Sequence, residues 1–164
     1  MKITSGVLAL LLAVSVSQGA PPAGGGEQAI RTLYSQYSKA VAAKDVDGLM
    51  AFYAPDVVAF DAFPPREYIG SAAYRKDFEG FFAAYPGPVQ STISDLTVKV
   101  AGPVAYSFGV DRWIVTDAQN KTTAMTLRFT DVLTMKSGKW HIVHEHNSFP
   151  VDPTTGAADF ESKP

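Results

Sequence analysis

The chain has 164 residues, of which 46% are apolar and 18% are charged, and these proportions indicate one globular domain rather than a disordered segment. Residues 1–20 hold one of the 14 basic residues and none of the 16 acidic ones, so the rest of the chain has 13 basic and 16 acidic residues. This slightly acidic balance does not indicate a basic surface for nucleic acid. The absence of cysteine excludes disulfides, thiol catalysis and thiolate metal sites.

The first 20 residues have the pattern of a secretory signal peptide. Lys2 precedes an apolar stretch from Val7 to Val16, and small residues follow it at 17–20. This apolar stretch is too short to span a membrane comfortably. We therefore expect a secreted or periplasmic protein with no membrane span in its mature form, and a flexible Pro/Gly leader at 21–26.

Three helices are predicted in the first half of the chain. The first runs from Glu27 to about Lys44, where apolar residues recur at helical spacing. The second is short, has Asp45 or Asp47 as its N-cap, and ends at Pro55. A third covers about Ser71 to Tyr85. Their apolar faces carry Ile30, Leu33, Tyr34, Tyr37 and Val41, then Leu49, Phe52 and Tyr53, then Tyr74, Phe78, Phe81 and Phe82.

A short apolar strand between the second and third helices ends on Asp61. Phe60, Phe63 and two prolines surround this carboxylate in the sequence. A carboxylate in an apolar wall holds its proton more tightly, so Asp61 is a candidate for proton transfer near neutral pH. An exposed aspartate that caps the following turn is the alternative interpretation.

The second half of the chain predicts antiparallel strands. Apolar and polar residues alternate at 96–100, which predicts a half-buried strand. Further strands are predicted at 104–117, 122–136 and 140–149, with a tight turn at Ser137-Gly138-Lys139 between the last two. Residues 151–164 are predicted to form a C-terminal tail. Helices followed by strands indicate an α+β fold, in which the helices cover one face of a curved sheet. Such a cone has a natural pocket at its open end.

Two motifs resemble one known superfamily. The segment YAPDVVAFD at 53–61, with Gly70 soon after, and GKWHIVHEHNS at 138–148 resemble the SnoaL-like and ketosteroid isomerase-like branch of the nuclear transport factor 2-like superfamily. The resemblance covers about residues 27–150. It implies a cone-shaped domain that binds a small, partly apolar molecule without a cofactor and forms a homodimer through its sheet.

The resemblance to ketosteroid isomerases also implies roles for individual residues. Asp61 takes the position of the general base, and Tyr37 that of the tyrosine that donates to the enolate oxygen. Tyr53, on the second helix, matches a supporting tyrosine. Asp131 matches the second acid of the oxyanion site. The expected catalytic set is therefore Asp61, Tyr37 and Asp131.

Two pocket positions depart from the isomerase pattern. Phe78 stands where those isomerases have a further tyrosine, and Glu145 stands at or near a pocket methionine position. Other polar and aromatic residues are expected to bind the ligand as well, although surface and core roles are open for Arg128, Trp113 and Tyr74. The expected ligand-binding residues are Tyr53, Phe63, Tyr74, Phe78, Trp113, Arg128, Glu145 and Asn147.

The last strand presents two faces by simple alternation. One face would carry Trp140, Ile142, His144, His146 and Ser148, and the other His141, Val143, Glu145, Asn147 and Phe149. The resemblance places the second set toward the cavity. A hydrogen-bonded structural role is favoured for His144 and His146, with ligand contact or a metal site completed by Asp61 or Glu145 as alternatives. We expect no metal.

Two classes of function follow from these residues. In the first, the domain moves a proton next to a carbonyl group, an isomerase- or dehydratase-like reaction with Asp61 as base. In the second, it is a homodimeric binding or association module, and the same polar residues only orient a ligand. The sequence leaves this choice open.

Overall fold

A computed structural model describes residues 23–161. It contains three helices and six strands within that range. The helices are α1 (Ala23–Ala43), α2 (Val46–Met50) and α3 (Ser71–Ala84). The strands are β1 (Tyr53–Phe60), β2 (Tyr68–Ile69), β3 (Val89–Ala101), β4 (Val104–Thr116), β5 (Thr122–Lys136) and β6 (Lys139–Ser148). The predicted signal peptide lies outside the described residues and stays a prediction.

The strands form one curved sheet in the order β2-β1-β6-β5-β4-β3. β1 runs parallel to β6, and every other neighbouring pair is antiparallel. α1 packs on β3, and α3 packs on β1 and β2, so the helices cover the concave face. The predicted α+β cone is confirmed. Within the described part of the chain, no helix is both long and apolar enough to cross a membrane.

The first helix begins four residues before its predicted start. Residues 23–26, predicted as part of a flexible leader, are its first turn. Gly26 is buried there, and a Cβ added to it would lie 3.2 Å from Val100 Cγ1 and 3.5 Å from Trp140 Cζ2. Glycine therefore lets this turn approach the sheet closely. This tertiary contact extends the helix into residues of low helical propensity.

The second helix is shorter than predicted, and Tyr53 belongs to a strand. Asp45 caps α2 by accepting a bond from the Gly48 amide at 2.9 Å. The chain leaves the helix at Met50, because Tyr53 pairs with Ile142 of β6. Regular pairing with β6 resumes at Val58. Pro55 lies in the irregular stretch between Tyr53 and Val58, where its lack of a backbone N–H costs no hydrogen bond of the sheet.

A bulge in β6 changes which residues face inward. Val132 pairs with His144 and Leu133 with Ile142, so Val143 is an extra residue in the ladder. Ile142 and Glu145 are consequently both buried on the concave side. The predicted strict alternation is wrong for Trp140 and Ile142, which share the covered face with Glu145.

The C-terminal residues fold back on the sheet. Val151 forms a bridge with Ala158, and the Thr126 amide donates to the Phe160 carbonyl at 2.8 Å. The ring of Phe160 contacts that of Phe149 edge-to-face, with centroids 4.7 Å apart. The segment predicted as a tail is therefore an ordered turn up to residue 161, held by backbone pairing that local sequence does not reveal.

Gly109 provides a test of how tightly the sheet is packed below the cavity. A Cβ there would lie 2.8 Å from the Ser94 carbonyl oxygen and 3.0 Å from Phe129 Cε1. We expect Gly109→Ala to lower the free energy of unfolding by about 1–3 kcal/mol, because the backbone carbonyl has little freedom to move away. Urea unfolding followed by circular dichroism measures the change.

Gly80→Ala is the matched control. Nothing lies within 4 Å of a Cβ at this position of α3, and alanine favours a helix over glycine. This variant should be as stable as the parent or more stable. Equal losses in both variants would contradict the packing argument.

Candidate functional site

The concave face of the sheet and the helices enclose a cavity of about 780 Å³. Strands β2 to β6 and helices α1 and α3 contribute side chains to its lining, and β1 contributes none. Its wall is rich in aromatic side chains. The rings are those of Tyr34, Tyr37, Phe63, Tyr68, Tyr74, Phe78, Phe81, Trp113, Phe129 and Phe149. Five carboxyls lie among these rings, at Asp61, Asp77, Asp111, Asp131 and Glu145.

Asp61 lies immediately after β1, at the partly exposed side of the cavity. Its Oδ1 accepts from the amides of Ala62 and Phe63, and its Oδ2 lies 3.2 Å from the Tyr74 hydroxyl. Burial, and secondarily the charge of Asp77, raise the pKa of Asp61 to about 6 despite these donors. The carboxyl can therefore gain and lose a proton near neutral pH.

Glu145 is buried in the wall beside Asp61. Its Oε2 accepts from the Tyr53 hydroxyl at 2.9 Å, and its Oε1 accepts from Tyr74 and from Asn147 Nδ2, the latter at 3.0 Å. Burial raises the pKa of Glu145 to about 7, and the nearby Asp61 charge adds to the effect. The three donors only partly offset the loss of hydration.

Tyr74 joins the two carboxyls into one unit. Its hydroxyl lies between Asp61 Oδ2 and Glu145 Oε1 but has a single proton to donate. Both contacts are hydrogen bonds at once only if one carboxyl is protonated and donates to the tyrosine oxygen. The chain Asp61–Tyr74–Glu145 therefore favours one shared proton on its two acids.

Asp131 lies directly across the β5–β6 ladder from Glu145 and is 1% exposed. Tyr34 donates to its Oδ2 at 2.5 Å, and the Ser107 hydroxyl in turn contacts that of Tyr34. Burial and the neighbouring Glu145 charge raise the pKa of Asp131 well above its ordinary value. Its Oδ1 has no hydrogen-bond partner among the described residues, although Asp131 lines the cavity.

A fourth acid lies on β4. Asp111 is 5% exposed and accepts from Ser91 Oγ at 2.8 and 2.9 Å and from Trp113 Nε1 at 2.8 Å. Burial raises its pKa to about 6, and its donors work in the opposite direction. Sequence reasoning missed this residue. The available signal was an aspartate two positions before Trp113, on the inward phase of an apolar strand.

A sequence model of the SnoaL-like domain matches residues 30–152. The chain belongs to the SnoaL-like family. A comparison with curated proteins found no match. The family accounts for the cone and its cavity, while a shared fold does not by itself establish a reaction.

Solved structures agree with this assignment of the SnoaL-like domain. A nuclear transport factor 2-like protein of unknown function from Pseudomonas putida KT2440 is 32% identical, with a TM-score of 0.79, over 86% of this chain and 98% of that one. A candidate scytalone dehydratase from Novosphingobium aromaticivorans is 18% identical, with a TM-score of 0.69, over 75% of this chain and 83% of that one. This second likeness shows the fold alone.

Most of the predicted site residues of the SnoaL-like domain line the cavity, while their roles stay predictions. Tyr34, which the sequence reasoning did not single out as a site residue, is the tyrosine that donates to Asp131. Tyr34 and Tyr37 both lie on the buried stripe of α1, so helical spacing does not distinguish them. The predicted residues that line the cavity are Tyr37, Asp61, Phe63, Tyr74, Phe78, Trp113, Asp131, Glu145 and Asn147.

Two predicted ligand contacts need correction. Arg128 is exposed and lies outside the cavity lining, because Leu127 and Phe129 on either side of it point inward. Tyr53 is buried behind Glu145 and is not part of the lining, so it supports the carboxyl instead of forming the wall.

The histidine pair lies away from the cavity. His144 Nδ1 is 2.8 Å from the Val58 carbonyl oxygen, which is the structural hydrogen bond predicted for it. The rings of His144 and His146 both contact Phe60 edge-to-face, at 4.9 and 5.9 Å between centroids. Among the described residues, no group of three or more His, Asp or Glu side chains is placed to hold a metal ion.

The raised carboxyl pKa values predict how stability depends on pH. Between about pH 4 and 7 the folded SnoaL-like domain binds more protons than the unfolded chain, so its free energy of unfolding falls as pH rises. Glu145→Gln removes one of the carboxyls with a raised pKa. The free energy of unfolding of this variant should therefore fall less between pH 5 and pH 8 than that of the parent, by an amount of the order of 3 kcal/mol. Urea unfolding at both pH values measures it.

Asp56→Asn is the control for this pH experiment. Asp56 is exposed on β1, so removing its charge should leave the pH dependence as it is in the parent. A Glu145→Gln variant with the parent's full pH dependence would contradict the assignment.

Proposed function

We propose that this SnoaL-like domain binds a small, largely apolar carbonyl compound and moves a proton at the carbon next to the carbonyl. The observation that carries the proposal is the chain Asp61–Tyr74–Glu145 on the wall of an aromatic cavity. Two carboxyls with pKa values of about 6 and 7 stand on either side of one phenol, which is suitable for taking and returning a proton near neutral pH.

In this mechanism Asp61 is the base. Its ionised carboxylate removes a proton from the carbon, and the electron pair of the broken C–H bond moves to the carbonyl oxygen, forming an enolate. Asp131, kept neutral by burial, donates through its unpartnered Oδ1 to that oxygen, while Tyr34 holds its other oxygen. Asp61 then returns the proton to a different carbon, which completes an isomerisation.

The Tyr74–Glu145 part supports the base. When Asp61 becomes protonated it donates to the Tyr74 oxygen, and Tyr74 donates to Glu145. Tyr53 and Asn147 hold Glu145 in place from the other sides. The surrounding rings exclude water, which strengthens each of these hydrogen bonds.

Exchange of carbon-bound protons tests this reaction without knowledge of the natural substrate. The probe is 2-tetralone in D₂O at pD 7.5, with loss of its α-proton signals followed by ¹H NMR and its binding measured by calorimetry. We expect the wild type to accelerate exchange, and Asp61→Asn to reduce the rate at least about 100-fold, because the base is lost. Asp56→Asn should match the wild type.

Two results would count against proton transfer. Exchange in Asp61→Asn at the wild-type rate would remove Asp61 as base. Binding of 2-tetralone with no faster exchange than in buffer would instead support a binding module without turnover.

We further propose that a second copy packs on the outer face of the sheet. Val104, Tyr106 and Phe108 on β4 are 44–49% exposed, and the last two rings stack with centroids 6.4 Å apart and planes 10° from parallel. Contiguous exposed apolar side chains of this kind favour an association surface.

Phe108→Lys tests the homodimer. A lysine on this face should weaken self-association at least tenfold by sedimentation velocity, because its ammonium group would be desolvated between two sheets. Ala118→Lys, in the exposed turn after β4, is the control and should associate like the wild type. A wild-type protein that stays monomeric at 100 µM, or two variants that behave alike, would end the proposal.

A further inference from the structure

Asp111 forms a second polar site in the same cavity, which the proposed reaction does not use. Asp131 pairs across the sheet with Ser107, and Asp111 lies four residues further along β4, roughly 13 Å at the usual rise of a strand. Asp61 follows β1, three positions away from β4 in the sheet order. Asp111 therefore marks an end of the cavity away from the Asp61–Tyr74–Glu145 chain.

The donors around Asp111 favour its charged form. Ser91, Trp113 and the Thr92 backbone amide all donate to this carboxyl, whereas among the described residues Asp131 accepts a hydrogen bond from Tyr34 alone. Hydrogen bonds from several donors stabilise a carboxylate over the neutral acid. Of the two buried aspartates on β4 and β5, Asp111 is thus the one arranged as an anion.

This anion has no cationic partner in the described part of the chain. The ion pairs between residues 25 and 161 are Arg31–Glu27, Arg66–Glu67, Arg75–Asp47 and Arg75–Glu79, and none of them includes a carboxyl of the cavity. Lys76 is the one basic side chain in the lining, and it is exposed. Buried carboxylates in proteins are ordinarily paired with a positive charge.

Two neighbouring features also point to a ligand. The rings of Trp113 and Phe81 stand edge-to-face 5.3 Å apart in the wall next to Asp111, and aromatic rings attract cations. Oδ1 of Asp131, in a side chain that is 1% exposed, has no partner among the described residues and borders the same cavity. The wall thus offers one anion and one unpaired polar atom at separate places.

We propose that the cavity takes a ligand with a basic nitrogen, whose ammonium group lies against the Asp111 carboxylate beside Trp113 and Phe81. A second polar group of the ligand then reaches Oδ1 of Asp131. The substrate class is an amine that carries an apolar, ring-sized body. The position of the ligand's reacting carbon near Asp61 rests on the proposed function, whereas the amine site at Asp111 does not depend on it.

Three probes that differ only in their end group test this preference. They are 2-(2-naphthyl)ethylamine, 2-(2-naphthyl)ethanol and 3-(2-naphthyl)propionate, titrated into the protein by calorimetry at pH 7.5. The amine should bind at least tenfold more tightly than the alcohol, and the carboxylate most weakly. An alcohol that binds as tightly as the amine would overturn the proposal.

Asp111→Asn assigns the preference to this carboxyl. The variant keeps the shape of the side chain, so the amine should lose its advantage and bind within about twofold of the alcohol. Asp56→Asn removes the same charge from an exposed position and should retain the full advantage. An advantage that survives in Asp111→Asn would overturn the assignment.

The two tryptophans locate the amine without any change to Asp111. Trp113 donates its indole N–H to Asp111, while Trp140 lies outside the cavity lining. In ¹⁵N-labelled protein, the amine should shift the indole N–H signal of Trp113 and should not shift that of Trp140. The Trp140→Phe variant assigns the two signals. An unmoved Trp113 signal at saturation would overturn the site even if Asp111→Asn does not fold.

The two proposals fail separately. Wild-type protein that exchanges 2-tetralone protons but shows no amine preference would end the amine site alone. An amine preference without proton exchange would end the proposed reaction and leave the binding site.

Discussion

The cavity depends on two carboxyls buried side by side across one pair of strands. Asp131 and Glu145 are direct cross-strand neighbours on the concave face, where such Cβ atoms lie about 5 Å apart. Two negative charges at that separation, out of water, are unfavourable together, so at least one acid keeps its proton. Tyrosines from α1, β1 and α3 donate to these two carboxyls and offset part of the cost of burying them. Oδ1 of Asp131 has no donor among the described residues.

The two aspartates of the proposed reaction differ in their surroundings. Asp61 is partly exposed, with a pKa raised to about 6, while Asp131 is buried and burial raises its pKa well above the ordinary value. Three donors, Tyr53, Tyr74 and Asn147, offset the cost of burying Glu145 in this wall.

Much of the architecture was accessible from the sequence because its elements have clear local patterns. Helices α1 and α3, strands β4 to β6 and the Ser137–Gly138 turn lie close to their predicted positions, whereas β3 begins at Val89, well before the predicted 96–100. The position of Asp61 at the end of a strand among aromatic residues was accessible for the same reason. Its connection to Tyr74 and Glu145 was not, because these residues come from a loop, a helix and the last strand, and nothing local aligns them.

The sequence by itself determined the order of helices and strands, the absence of thiol chemistry and the candidacy of Asp61. The tertiary structure decided that Tyr34 donates to Asp131, that Arg128 faces away, and that Asp111 faces the cavity. Helices and strands can be predicted because their periodic patterns of apolar residues involve residues that are close together in the sequence. The choice between two tyrosines on one helical face, or the phase of a bulged strand, depends on contacts between residues far apart in the chain.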